Sequence, residues 1–216
     1  MTWTKKQYSH LGFQRYYIIV KSIQRFCEIW SLLEQCNKYK MFDNISDNIN
    51  IASIGGGPGF ECYAFEVFLK KYFPKKKCKF YILDLEENWG NYINLIGDNY
   101  YFLKWNLYKD DIYKTTKLNN IDFIMIVNFL VMYMTNENSY NLIHRLLKNG
   151  TKSIFINSRS KKIEAKKYLK KKNINVINLL NKNDDRQLAL TLNDYKKSNI
   201  KIKKIFPNIP YNKIKK

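Results

Sequence analysis

One short stretch of the chain constrains its fold more than any other: an apolar run that ends in clustered glycines. The run Ile51–Ile54 leads directly into Gly55, Gly56, Gly57, Pro58 and Gly59. Because glycine has no Cβ, it allows a tight turn and lets the backbone approach a ligand closely. The pattern predicts a strand that runs into a ligand-binding turn and then into a helix.

The segments after the glycine turn complete a recognisable unit. Residues Glu61–Tyr72 are compatible with a helix, and Lys79–Asp84 is a second apolar run that ends in a carboxylate. Strand, glycine turn, helix, strand and terminal acid is the layout of a nucleoside-binding crossover, in which the acid binds the ribose hydroxyls. Glu86 and Glu87 are alternatives for that role, and a helix N-cap is the alternative role for Asp84.

The spacing of the glycines distinguishes between nucleoside ligands. A dinucleotide fingerprint needs Gly-x-Gly-x-x-Gly/Ala, but its third position, counted from Gly55, falls on Phe60. The spacing present is Gly55-x-Gly57-x-Gly59. The segment Ser53–Gly59 resembles motif I of class I S-adenosylmethionine-dependent methyltransferases in its GGGPG form. With Asp84 and the later apolar runs, the resemblance covers roughly residues 50–180.

The resemblance implies S-adenosylmethionine as the cofactor, and it implies which residues hold it. These are Ser53, Gly55, Gly56, Gly57, Pro58, Gly59, Asp84, Asn106 and Asn128. Asn106 stands after the third strand, where the family often has a carboxylate that reads adenine, and Asp110 and Asp111 are possible substitutes. Asn128 closes the fourth strand at the methyl-transfer edge and is the candidate catalytic residue.

Asn128 interrupts the apolar segment Ile126–Met132. A buried polar side chain without a partner costs about 1–3 kcal/mol, so we expect the amide to have one: the cofactor, the substrate or the backbone. The Asp/Asn-Pro-Pro-Tyr/Phe signature of amino-methyltransferases is absent, since Phe129 and Leu130 follow. The region also lacks the cysteine of a cytosine-C5 mechanism. The acceptor atom therefore stays open.

Strands and helices alternate beyond the crossover unit. Strands are predicted near 50–54, 79–84, 100–105, 121–127 and 152–157, and helices near 60–72, 88–96, 138–148 and 160–171. This alternation predicts an α/β fold with a doubly wound, mostly parallel sheet. The last two runs, Ile174–Leu180 and Gln187–Asn193, are too close for a helical crossover, so the last strand should be antiparallel. The methyltransferase fold has the same feature.

The chain length predicts one domain. Within it, residues 1–46 are a helical N-terminal extension, 47–195 a Rossmann-like core and 196–216 a basic tail. The extension has an apolar face at helical spacing, formed by Phe13, Tyr16, Tyr17, Val20, Ile23, Phe26 and Ile29 or Trp30. His10 and Arg15 are candidate substrate-binding residues. The alternative is a helix whose aromatics pack on the sheet and whose Arg15 is solvated.

Composition bears on partners and compartment. The net charge of +20 suggests a polyanion such as RNA, but only five of the 38 basic residues are arginine, so biased codon usage explains the excess equally well. No apolar run reaches ~18 residues, so no membrane span is expected. Four dispersed cysteines and two histidines predict reduced thiols and no metal site. We expect an intracellular protein of the cytoplasm or nucleus, with the mitochondrion as an alternative.

The predicted function is an S-adenosylmethionine-dependent methyltransferase that acts on RNA. One alternative is a non-catalytic, methyltransferase-like subunit that binds RNA or a protein partner, and another is a methyltransferase of proteins or small molecules. A dehydrogenase is disfavoured by Phe60. An aminopropyltransferase is disfavoured by Pro58 and Asn128, which stand where that family carries acids.

Overall fold

The computed structural model describes residues 4–159 and 165–197. Positions 160–164 of the predicted 160–171 helix therefore lie outside the described residues. The same is true of the predicted basic tail, apart from Lys196 and Lys197.

The described chain alternates between helices and strands as the sequence predicts. The helices are α1 Lys5–Tyr8, α2 Leu11–Lys38, α3 Phe60–Tyr72, α4 Gly90–Ile93, α5 Ile112–Thr116, α6 Leu130–Tyr133, α7 Glu137–Lys148 and α8 Ala165–Lys171. The strands are β1 Asn48–Ile54, β2 Lys77–Asp84, β3 Tyr100–Lys104, β4 Phe123–Val127, β5 Ser153–Asn157, β6 Asn175–Asn178 and β7 Gln187–Thr191. The helix expected near 88–96 is instead a 3₁₀ turn, Glu87–Trp89, followed by the single turn α4.

The strands form one seven-stranded sheet in the order β3-β2-β1-β4-β5-β7-β6. Strands β1 to β5 are parallel, whereas β7 lies between β5 and β6 and is antiparallel to both. This confirms the predicted α/β fold class, including the antiparallel last strand. The strand order reverses between β1 and β4, and a crevice opens at such a switch point, beyond the carboxyl ends of the strands.

Each face of the sheet is covered by its own hydrophobic cluster. Alternate residues of a strand point to opposite faces, so Ile51 belongs to one cluster and Ala52 to the other. The C-terminal half of α2 packs with α3 on the first face, and α7 and α8 contribute to the second. The sheet is therefore buried on both sides, as a doubly wound sheet requires.

The apolar face predicted for the N-terminal helix is only partly formed in the first half of α2, where Phe13 and Tyr17 are half-buried but other members of the face are exposed. Tyr16, Val20 and Ile23 are 57%, 41% and 68% exposed, and the side chains buried there are the polar Gln14 and Arg25. This half of α2 lies over the carboxyl ends of the strands, where polar groups are available, and not over the apolar face of the sheet. Helical periodicity alone does not distinguish these two surroundings.

Two further observations concern membranes and metals. In residues 4–159 and 165–197, the helices are too short or too polar to cross a bilayer. Over the same residues, His, Cys, Asp and Glu side chains form no cluster of three or more that could hold a metal ion. All four cysteines are free thiols, and Cys36 and Cys62 are buried.

Phe42 should be a main contributor to stability. Its fully buried ring contacts Phe65, Phe123 and Phe155 at centroid distances of 5.8, 5.5 and 5.9 Å. We expect Phe42→Ala to lower the free energy of unfolding by about 3–5 kcal/mol, because it removes a large side chain and leaves a cavity. Urea denaturation measures this. Leu95→Ala, at a position 83% exposed, is the control and should change stability by less than about 0.5 kcal/mol.

Candidate active site

A cavity of about 390 Å³ lies at the carboxyl ends of β1, β2, β3 and β4. Its volume falls in the range of roughly 300–1,000 Å³ that small-molecule sites occupy. The glycine turn forms its floor, and the start of the chain, through Tyr8 and Tyr17, forms part of its wall. The cavity is thus located at the switch point of the sheet.

The glycine turn is fixed by hydrogen bonds to the neighbouring strand. The N–H groups of Gly55 and Gly56 donate to the carbonyl of Leu83 at 2.8 and 3.4 Å. Gly55 has φ 66°, and a Cβ there would lie 2.1 Å from the Phe129 ring, so a larger residue does not fit. A Cβ on Gly57 would meet only Trp89, at 3.8 Å, so this part of the turn faces open space.

The structure brings most of the predicted glycine-turn residues to the cavity. Gly55, Gly56, Gly57 and Pro58 line it. Gly59 does not line it but serves as the N-cap of α3, with φ 75°. Ser53 is fully buried and does not line the cavity either.

Asp84 ends β2 and presents its carboxylate to the cavity. Its Oδ2 accepts from the N–H of Gly57 at 2.9 Å, and its Oδ1 accepts from the N–H of Glu86 at 3.0 Å. Burial raises the pKa of Asp84, and these backbone hydrogen bonds partly oppose the shift. Because each carboxylate oxygen has two lone pairs, both oxygens can accept a further hydrogen bond from a ligand.

Glu86 and Glu87, the alternatives for binding the ribose hydroxyls, are less suited to that role than Asp84. Glu86 lines the cavity, but its side chain accepts from the Ser9 hydroxyl at 2.5 Å and from the N–H of Asn88 at 3.3 Å. Glu87 does not line the cavity and forms an exposed ion pair with Lys104 at 2.8 Å.

Asn106 lines the cavity after β3, as predicted. Its Oδ1 accepts from the N–H of Tyr108 at 3.0 Å, and its own N–H donates to Asp110 at 2.7 Å. Asp111 caps α5 and pairs with Arg145 at 3.2 Å. Neither aspartate lines the cavity, so the structure does not support them as substitutes for Asn106.

Trp105, which the sequence did not single out, also lines the cavity. Its indole Nε1 is buried and has no hydrogen-bond partner in the described part of the chain. A buried donor without an acceptor is costly, so a ligand that accepts its hydrogen bond would remove an unfavourable contribution.

Asn128 lies at the end of β4 with φ 54°, and in the described residues its side chain is bonded to another side chain, that of Arg25. When its amide oxygen is oriented toward Arg25, it accepts from Nη1 at 2.6 Å and Nη2 at 3.2 Å. Arg25 is 3% exposed and forms an ion pair with Glu28 at 2.6 Å. Glu28 also accepts from Asn157 Nδ2 at 3.0 Å. A polar network therefore joins α2 to the ends of β4 and β5.

Glu61, like Arg25, is a charged residue of the cavity that the sequence did not reveal. It lies in the first turn of α3, is 4% exposed and accepts a hydrogen bond from the Ser53 hydroxyl. Burial raises the pKa of Glu61 from 4.5 to about 7, although the Ser53 hydroxyl and the charge of Arg25 oppose the shift. An acid in the first turn of a helix is common, so its position in the sequence carries no sign of this role.

The structure does not bring His10 or Arg15 to the cavity. His10 is the N-cap of α2 and accepts from the N–H of Phe13 at 3.3 Å, and Arg15 is exposed. Tyr8 and Tyr17 of the same segment line the cavity instead, and Tyr17 stacks on Phe60 with a centroid distance of 6.1 Å. The first residues of the extension therefore contribute aromatic walls, and its polar contribution to the cavity is Arg25 and neither His10 nor Arg15.

Comparison with known proteins finds no matching family model and no matching curated protein. Among solved structures, one similar protein is from Methanococcus maripaludis and is provisionally assigned as an S-adenosyl-L-methionine-dependent methyltransferase. It is 12% identical, with a TM-score of 0.60 over 91% of this chain and 99% of that one. Magnesium protoporphyrin IX methyltransferase from Synechocystis, solved with bound S-adenosylmethionine, is 13% identical, with a TM-score of 0.53 over 86% and 92%. The chain has the class I methyltransferase fold.

A third similarity is partial. The plantazolicin methyltransferase BpumL is 15% identical, with a TM-score of 0.49 over 70% of this chain and 55% of that chain. The chain thus spans little more than half the length of that methyltransferase. At 12–16% identity, these similarities describe the fold alone.

Glu61 should make stability depend on pH. Because the folded state binds the Glu61 proton more tightly than the unfolded state, the contribution of Glu61 is fully present below pH 4.5 and is lost as pH rises through about 7. We expect the free energy of unfolding of the parent, relative to Glu61→Gln, to fall by roughly 3 kcal/mol over this interval. Urea titrations of both proteins from pH 4.5 to about 8 measure the difference. A difference that is constant with pH would contradict the raised pKa.

Proposed function

We propose that the protein is an S-adenosylmethionine-dependent methyltransferase. The observation that carries the proposal is the position of Asp84. This half-buried carboxylate is held by the N–H of Gly57 and faces a cavity at the switch point of a methyltransferase-fold sheet. A carboxylate at the end of the second strand beside a glycine turn suits ribose hydroxyls. The similarity in fold to solved methyltransferases supports the proposal.

The residues present fit the proposed cofactor. Asp84 would bind the ribose hydroxyls, and Gly57 leaves room for the ligand to approach the backbone. Trp105 Nε1, which has no partner among the described residues, would donate to a ring nitrogen of the adenine. Bound S-adenosylmethionine supplies a methyl group activated by its sulfonium, and the protein contributes orientation and proximity to the acceptor. Asn128, held by Arg25, is the fixed polar group at the end of β4 beside which the acceptor would bind.

For the acceptor, we propose a small and largely apolar molecule. The wall of the cavity beyond Asn128 consists of Phe129, Met132 and Tyr133, with Tyr8 opposite in the chain's first helix. The start of the chain is fastened over the site, because Asn88 Nδ2 donates to the carbonyl of Ser9 at 3.3 Å and Ser9 donates to Glu86. A partly covered, aromatic-lined cavity of about 390 Å³ favours a compact ligand over a nucleic-acid strand.

The charge of the cavity supports the same acceptor class. Although the chain carries +20 overall, its cavity is lined by three carboxyl groups, Glu61, Asp84 and Glu86, and by two guanidinium groups, Arg25 and Arg159. The excess basic charge therefore lies outside the cavity. A cationic cofactor is favoured in such a site, whereas a polyanion is not attracted into it.

RNA stays the alternative acceptor, and the net charge is the observation that favours it. An RNA complex held by phosphate contacts should lose affinity steeply as salt increases, whereas binding of a small apolar acceptor should change little. Titrations of a mixed-sequence RNA and of a panel of small aromatic acceptors at low and high salt distinguish the two. Salt-sensitive RNA binding with methyl transfer to RNA would contradict the small-molecule proposal.

Cofactor binding is tested by thermal unfolding with S-adenosylhomocysteine. A ligand at ~100 times its dissociation constant stabilises the folded state by about 2.7 kcal/mol, which should raise Tm by about 5–10 °C. Asp84→Asn should lose most of this shift because it removes the charge of the proposed ribose acceptor. Glu87→Gln, a nearby exposed carboxylate outside the cavity, should keep it.

One further result would contradict the cofactor proposal. A well-folded parent that shows no shift with either S-adenosylmethionine or S-adenosylhomocysteine does not bind the cofactor. If such a protein still binds RNA, the non-catalytic subunit is the correct alternative.

A further inference from the structure

Two opposite buried charges face the cavity beside the glycine turn. Glu61 reaches it from the first turn of α3, and Arg25 reaches it from the middle of α2. They are 4% and 3% exposed, respectively. Taking either charge out of water is costly unless other groups compensate for it. Two such charges at one wall of the cavity make that wall suited to a ligand that carries charges of both signs.

Glu61 and Arg25 are close enough to interact electrostatically, but within the described ranges no ion pair joins them. Arg25 is instead paired with Glu28 and bonded to Asn128. Glu61 accepts a hydrogen bond from the hydroxyl of Ser53. The anion and the cation are thus separately anchored on two helices, and both face the same space.

A ligand that satisfies both groups carries an ammonium and a carboxylate on neighbouring atoms, as an α-amino acid does. We propose that Glu61 binds the ammonium and Arg25 the carboxylate of the methionine moiety of S-adenosylmethionine. This inference rests on the proposed function. It assigns the charged end of the cofactor to two residues that the glycine motif does not contain.

The remaining hydrogen-bonding capacity of both side chains suits this assignment. The Glu61 carboxylate accepts from the Ser53 hydroxyl and from a backbone N–H, and because each of its oxygens has two lone pairs it can accept a further hydrogen bond from an ammonium group. Arg25 is bonded to Glu28, Asn128 and Tyr17, but a guanidinium group has five N–H donors in a planar fork, so donor capacity for a carboxylate remains. Ser53, buried away from the cavity, acts as a positioning residue that orients Glu61.

The test compares two ligands that differ only at the proposed end. S-adenosylhomocysteine has the amino-acid moiety, whereas 5′-methylthioadenosine keeps the nucleoside and lacks that moiety. By calorimetry, Glu61→Gln should lower the affinity for S-adenosylhomocysteine by roughly 10- to 100-fold, since a charged hydrogen bond is lost. Its affinity for 5′-methylthioadenosine should change by less than about 2-fold.

Two other variants sharpen the comparison. Glu66→Gln is the matched control, because Glu66 is also on α3 but bonds Asn99 and Tyr100 outside the cavity. It should bind both ligands as the parent does. Ser53→Ala keeps the Glu61 carboxylate but removes the hydroxyl that orients it. It should therefore lower the affinity for S-adenosylhomocysteine less than Glu61→Gln does.

The pH dependence of the parent tests the same inference without any substitution. Glu61 faces Ser53 on β1, Asp84 on β2, and Arg25 and Tyr17 on α2, and of these groups only Asp84 also titrates at acidic pH. As pH rises from about 6 to about 8, Glu61 loses its proton and S-adenosylhomocysteine should bind more tightly. The affinity for 5′-methylthioadenosine depends on Asp84 and not on Glu61, so it should not rise with pH in the same way.

The outcomes separate this inference from the proposed function. If Glu61→Gln weakens both ligands equally, or if both ligands show the same pH dependence, the assignment of Glu61 is overturned while the cofactor proposal stands. If folded parent protein binds neither ligand, the proposed function itself fails, and this inference fails with it.

Discussion

The site depends on how the glycine turn is attached to the second strand. In a parallel sheet whose order reverses between β1 and β4, the chain must leave β1, turn sharply and start α3 without filling the crevice. The hydrogen bonds from Gly55 and Gly56 to Leu83, and from Gly57 to Asp84, hold the turn against the end of β2. They therefore set both the floor of the cavity and the direction of the Asp84 carboxylate. Since Gly55 also lies under the Phe129 ring, the same turn fixes the start of the segment after β4.

The N-terminal extension is part of the site and not an addition to it. Arg25 joins Glu28 and Asn128 in a network that also includes Asn157, at the ends of β4 and β5. A buried ion pair gains little over well-packed apolar residues, but removing one partner leaves an uncompensated charge, so the network specifies one position for α2. That position explains why α2 exposes apolar residues such as Ile19 and Ile23 in its first half: its inner side meets the polar ends of the strands.

The sequence predicted the sheet, its antiparallel last strand and the position of the glycine turn, because each of these has a local pattern: glycine spacing, apolar runs and loop length. It did not reveal Arg25, Glu61 or Trp105. Those side chains reach the cavity from a helix face, a first helical turn and a strand end, and only the packing of α2 and α3 against the sheet brings them together. It was also misleading for His10, a polar residue that caps a helix, and for Tyr16, whose helical spacing suggested burial. Periodicity identifies a helix but does not determine which surface the helix covers.

Glu61 places a carboxylate beside the glycine turn from its helix side, whereas β1, which leads into the turn, ends in neutral residues. Ser53 is buried under the turn, so a carboxylate at that position would point into the interior of the protein and not into the cavity. Glu61 approaches from the other side, where the N-terminal end of α3 and the Ser53 hydroxyl both favour its ionised form. Burial opposes that ionisation, and the balance leaves its pKa at about 7. A cationic group entering the cavity would shift the balance toward the carboxylate, so ligand binding and loss of the Glu61 proton would be coupled.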